Sequence, residues 1–141
     1  MLGKIILCAR KSRICSIVVQ AKKEDTMRDT IIYKILRQAE WAELQREGHF
    51  AGSVHDKRDG FIHMSAAGQL QGTLDKHYTD GDDVILAAVR LADIAETVKW
   101  EVSRGDALFP HLYRKLKLSE VVHHAPLKEL DGVHLFPDEI P

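Results

Sequence analysis

Cysteine is almost absent from this chain. Both copies, Cys8 and Cys15, lie in the first fifteen residues. Residues 27–141 therefore hold none and cannot form a disulfide scaffold, which fits a reducing compartment. No apolar run approaches the roughly 20 residues that a membrane-spanning helix needs, so a cytoplasmic protein with no membrane partner is expected. An excess of charge is also missing: 20 Lys and Arg stand against 21 Asp and Glu, a formal net charge of -1, and no basic field invites nucleic acid. Common catalytic signatures are absent too. The eight histidines show no His-Glu-x-x-His or paired-cysteine spacing, and the adjacent His123 and His124 project to opposite sides of a strand, so no metal is expected. There is no Gly-x-Ser-x-Gly elbow. Neither the phosphate-cradling Gly-x-x-x-x-Gly-Lys nor the dinucleotide Gly-x-Gly-x-x-Gly occurs.

What is present suits one globular domain: 141 residues, 45% hydrophobic and 29% charged. Residues 1–26 stand apart, with six basic and two acidic residues, so that residues 27–141 keep 14 basic and 19 acidic, about -5. That mild acidity argues further against a polyanion held by charge alone. In the first stretch the apolar Ile5–Ala9 is cut short by Arg10-Lys11-Ser12-Arg13, too early for a signal-peptide core. Residues 1–26 are read as an N-terminal extension, disordered or a mis-assigned start, and 27–141 as the domain.

Ile31–Leu36 is β-branched and aromatic, the composition of a first strand. Gln38–Glu47 reads as a helix that buries Trp41 and Leu44 and stops at Gly48. His49–Ser53 leads into a charged loop, Asp56-Lys57-Arg58-Asp59-Gly60. In Phe61–Ser65, alternation sets Phe61, His63 and Ser65 on one side and Ile62 and Met64 on the other. His63 there suits a ligand, although an isolated histidine more often serves the core. Ser65 is placed to cap a helix running to about Tyr78. On that helix Leu70, Leu74 and Tyr78 face the core, beside a polar stripe of Gln69, Thr73 and His77. Gly68 and Gly72 weaken it or permit close packing against a strand. Val84–Val89 is the strongest strand and a central one. A brief turn or helix around Ala92–Glu96 follows. Val98, Trp100 and Val102 then alternate with Lys99, Glu101 and Ser103. With the apolar side on the core, Glu101 points the other way. Phe109–Tyr113 is either a rigid loop or one wall of a pocket, and Val121–Ala125 and Val133–Phe136 read as late strands. Two helices among these strands indicate a compact α+β domain.

Several of these segments match a known pattern in order: Tyr33-Lys34-Ile35, Trp41, Gly52-Ser53, Asp59–Ser65, Gln69, Thr73, Trp100-Glu101 and Phe109-Pro110-His111-Leu112-Tyr113. Over nearly all of residues 30–137 the chain resembles the family called domain of unknown function 952. That family is similar in fold to the ADP-ribosyltransferases, so the resemblance implies a split β-sheet forming a cleft for NAD, with two main helices. It implies a ribose-gripping His63 with Ser65 beside it, and Glu101 as the catalytic carboxylate that stabilises an oxocarbenium-like transition state. Gln69, Thr73, His111 and Tyr113 would complete the ligand contacts. The implied function is an NAD-dependent ADP-ribosyltransferase or NAD glycohydrolase, with NAD as substrate and an acceptor that the sequence does not name. Two other readings stay open: a nucleotide-binding module without turnover, and a protein-interaction domain whose His63 and His111 are structural.

Overall fold

The apolar run at 84–89 becomes β5 (Val84–Arg90), the third strand of a five-stranded sheet in the computed structural model, which describes residues 30–137. The extension at 1–26 lies outside the described residues. On one side β5 pairs with β1 (Ile31–Arg37), and β1 in turn with the two-residue β4 (Ser65–Ala66). On the other side it pairs with β9 (Val121–Leu130), which is followed outward by β10 (Val133–Leu135). Every one of these pairings is antiparallel. Val84–Val89 is buried throughout because both faces of the sheet are covered.

One face of β1 and β5, with Ile32, Leu36, Ile85, Ala87 and Val89, packs with Trp41 and Leu44 of α1 (Gln38–Glu47) and with Phe50, Ile62, Met64, Leu112 and Leu116. The other face, with Tyr33, Ile35, Val84, Leu86 and Ala88, packs on Leu70 and Leu74 of α3 (Leu70–His77). Fully burying each such leucine contributes about 2 kcal/mol of hydrophobic free energy. α1 ends at Gly48 in the left-handed region, φ 77°, as its sequence predicts.

A second, three-stranded sheet has the order β3 (Ile62–His63), β7 (Ala107–Leu112), β6 (Val98–Arg104). A two-stranded pair joins β2 (His49–Phe50) to β8 (Leu116–Lys117). Among the described residues the remaining α-helices are α2 (Val54–Asp59) and the single turn α4 (Leu91–Ile94). The extended segment 62–66 is shared between sheets. His63 pairs with His111 in the small sheet, Ser65 pairs with Tyr33 in the large one, and Met64 between them donates to the Pro110 carbonyl at 3.0 Å.

Four expectations change. The charged loop at 56–60 is mostly α2, because Ser53 caps it in a reciprocal box: Ser53 Oγ accepts the Asp56 N–H at 3.2 Å, and Asp56 Oδ2 accepts the Ser53 N–H at 2.9 Å. Ser65 caps no helix. It lies in β4, and α3 begins at Leu70 after a 3₁₀ turn over Ala67–Gln69, where Gln69 Oε1 accepts the Ala66 N–H at 3.0 Å. Phe109–Leu112 is strand rather than loop. Finally, the apolar side of β6 packs on the core only at Val98, while Trp100 and Val102 are 40% and 62% exposed. Alternation separates the faces of a strand, but what covers each face is set by tertiary neighbours.

Candidate functional site

The segment shared between the two sheets opens a cavity of about 470 Å³ beside it, walled by Lys34, Asp56, His63, Ser65, Thr73 and His111, among others. Its floor is a buried charge network drawn from three separate stretches of chain. Lys34 is buried on the same face of β1 as Ile32 and Leu36, yet its Nζ donates to Asp56 Oδ2 at 2.8 Å and to the His63 carbonyl at 3.0 Å. Asp56 Oδ1 accepts the His63 backbone N–H at 3.0 Å and lies 2.7 Å from His63 Nδ1. Burial works against ionisation of Asp56, but the His63 hydrogen bonds and the Lys34 charge outweigh it and hold its pKa well below the usual carboxylate range. Gly52 makes this approach possible. Its φ is +117°, and a Cβ there would lie 2.6 Å from Asp56 Cβ.

A second carboxylate–histidine pair lies on the same sheet face. Register places His63 opposite His111, Lys99 opposite His111, and Glu101 opposite Phe109. Paired residues share a face, so His63, His111 and Glu101 project from one side. Glu101 Oε2 lies 2.8 Å from His111 Nδ1 and accepts the Tyr113 hydroxyl at 2.7 Å. The Tyr113 and His111 hydrogen bonds lower the Glu101 pKa, and the carboxylate raises that of Tyr113. Phe61 stacks on the His111 ring at 4.1 Å and lies 4.7 Å from the His63 ring, and the two imidazoles are 5.3 Å apart, edge to face. His111 Nε2 is buried and, among the described residues, is the only buried side-chain polar atom without a hydrogen-bond partner.

Of the residues singled out in the sequence, His63, Ser65, Thr73 and His111 line the cavity. Ser65 Oγ and Thr73 Oγ1 are 3.3 Å apart. Glu101, Tyr113 and Gln69 are not among the lining residues. Glu101 and Tyr113 reach the site through His111. Gln69 is engaged at both ends of its amide, donating to the Leu108 carbonyl at 2.7 Å and accepting from Ala66. Sequence reasoning missed Asp56 as a site residue, and it met Lys34 only within a motif. Arg37, Arg58 and Arg104 also meet at the cavity from three distant segments. Arg104 donates to the Gly72 carbonyl at 2.8 Å and lies over the Phe109 ring at 5.1 Å. Among the described residues no helix is long and apolar enough to cross a membrane.

A crystal structure of protein CC0527 from Caulobacter crescentus is similar to this chain, with 47% sequence identity and a TM-score of 0.70, covering 75% of this chain and 94% of that one. The solution NMR structure of CC0527 matches at 47% identity and a TM-score of 0.64, covering 72% and 89%. No curated protein matches. The model of the family described as "Protein of unknown function (DUF952)" matches residues 35–124. The chain belongs to that family.

Proposed function

We propose that the cavity is a binding site for a phosphate-bearing nucleotide. One observation carries this reading. On a chain of net charge -1, the cavity gathers five fixed cations (Lys34, Arg37, Arg58, Lys76 and Arg104) against three lining acids (Glu40, Asp56 and Asp59). Lys34, Arg37 and Arg58 are paired with Asp56, Asp80 and Asp59, and among the described residues Lys76 and Arg104 have no carboxylate partner. A concavity with that balance concentrates positive potential, and guanidinium groups match phosphate oxygens bidentately. Lys34 uses two of its three ammonium hydrogens on Asp56 and His63, which leaves one for a ligand. Its volume, about 470 Å³, lies within the range of small-molecule sites. The test is thermal stabilisation by ADP, ADP-ribose and NAD, with adenosine as the uncharged control. Ligand at 100 times its Kd adds about 2.7 kcal/mol to stability. No shift with any phosphate-bearing nucleotide sinks the proposal.

A second reading, cleavage of NAD at its nicotinamide–ribose bond with or without transfer to an acceptor, is favoured by Glu101 lying on the same sheet face as His63. The cations suit the pyrophosphate, and the phenyl and imidazole rings suit a base. The fit is incomplete at Glu101, which is not among the residues lining the cavity, so a direct role at the ribose needs the carboxylate to swing past His111. Nicotinamide release from NAD, lost in Glu101→Gln, is the expected result of this reading. Absence of release from wild type ends it while leaving the binding site intact.

A further inference from the structure

We propose that His111 and His63 form a general base and general acid pair that hydrolyses a ribonucleotide phosphodiester, with a nucleoside 2′,3′-cyclic phosphate as the substrate class. The inference rests on reading the cavity as a nucleotide site and adds a reaction to it. Its starting point is that the two histidines are cross-strand partners on one face, with rings 5.3 Å apart, and both line the cavity. In each, Nδ1 is held by a carboxylate: Asp56 at 2.7 Å for His63 and Glu101 at 2.8 Å for His111. A carboxylate on Nδ1 fixes that nitrogen as N–H and leaves Nε2 as the atom that exchanges protons.

The surroundings of the two Nε2 atoms differ, and that difference assigns the roles. His63 Nε2 lies 3.2 Å from Asp59 Oδ2, so His63 has a carboxylate at each nitrogen. With a carboxylate oxygen facing each nitrogen, His63 is placed to carry N–H at Nε2 and to donate it. His111 Nε2 is buried and has no partner among the described residues, so a substrate water meets it only after a local side-chain shift. With its Nδ1–H on Glu101, it keeps a lone pair there and accepts a proton.

Water is the only co-reactant. His111 Nε2 takes a proton from water as the water oxygen forms a new bond to phosphorus. The bond from phosphorus to one ribose oxygen breaks, and His63 Nε2–H protonates that oxygen as it leaves. The product is a nucleoside monophosphate, and solvent returns both histidines to their starting protonation states. A phosphodiester suits the pair because its nucleophile is neutral and its leaving alkoxide is a strong base, so both proton transfers lower the barrier. Lys34 and Arg104 on the cavity wall face the charge that develops on the phosphoryl oxygens.

The test offers adenosine 2′,3′-cyclic phosphate to the full chain, follows monophosphate release, and measures binding of adenosine 3′-monophosphate by calorimetry alongside. Wild type is expected to turn the cyclic substrate over. His63→Asn and His111→Gln are each expected to lower kcat by at least about 100-fold while binding the monophosphate within a few-fold of wild type. Because His111 is buried, Glu101→Gln serves as a companion variant. It keeps the fold, removes the charge that holds His111, and is expected to lower kcat with KM little changed. Monophosphate binding without cyclic-phosphate turnover overturns the acid–base pair and leaves the nucleotide site standing. Absence of binding overturns both. Full kcat in folded His63→Asn, or in folded Glu101→Gln, also overturns the pairing.

Discussion

Asp56 is the residue on which the most interactions of the site converge. It faces an ammonium, an imidazole and two backbone N–H groups while 2% exposed. Asp56→Asn keeps the shape and removes the charge, leaving Lys34 buried without its counter-ion. Breaking a buried pair from one side costs about 3–5 kcal/mol, to be read as a fall in the urea midpoint at pH 7. The pH dependence has a definite sign. The Asp56 pKa is lowered in the folded state, so its contribution is complete above the unfolded carboxylate pKa of about 3.9 and is lost as pH falls below it toward the folded value. Wild-type stability should therefore drop more steeply than that of Asp56→Asn between about pH 4 and pH 2. An equal slope in both proteins would refute the assignment. The sequence hid this residue for a physical reason. Asp56-Lys57-Arg58-Asp59 has the composition of a solvated loop, and Asp56 becomes buried only because Lys34, 22 positions earlier, reaches it from the large sheet. His63 was more legible, since its apolar neighbours Ile62 and Met64 go to the core and leave it on the other face.

At the scale of elements, the β6–β7 hairpin is clasped twice, to α3 by Arg104 on the Gly72 carbonyl and to the preceding 3₁₀ turn by Gln69 on the Leu108 carbonyl. The two glycines beside this clasp should respond differently to alanine. A Cβ at Gly68 meets nothing within 4 Å, whereas one at Gly72 would lie 2.7 Å from Arg104 Nη2. Gly68→Ala is expected to raise stability by about 0.5–1 kcal/mol, the gain from a stiffer unfolded chain. In Gly72→Ala that gain is offset by displacement of Arg104, a residue of the cavity wall, so nucleotide binding should weaken as well. Thermal melts with and without ADP separate the two, and equal behaviour would remove the clasp from the account. The elements themselves differ in how legible they are. The helix at 38–47, with its Gly48 stop, and the strand at 84–89 are legible from period and run. Alternation separates the two faces of β6 but does not show their surroundings, because the small sheet leaves Trp100 and Val102 uncovered.

For the whole molecule, the α+β class followed from the order of segments, but the gathering of five cations at one cavity did not. Residues far apart in sequence meet there only after folding, and net charge conceals them. A positive site on an acidic domain predicts that raising salt from about 0.05 to 0.5 M weakens ADP binding several-fold, as the Debye length shrinks from above 10 Å toward a few ångströms. Adenosine binding should barely change, and a flat salt response for ADP would count against the site. The two walls of this cavity are tied together by one short segment, 62–66, and across the gap by Lys34, which belongs to the large sheet and holds the Asp56 carboxylate and the His63 carbonyl. That ammonium acts as a rivet: the sheets cannot separate without stranding a buried charge. A ligand arriving here meets walls already set, so little of its binding free energy goes into ordering the protein. Related ligands should then arrive at similar rates and differ mainly in how long they stay.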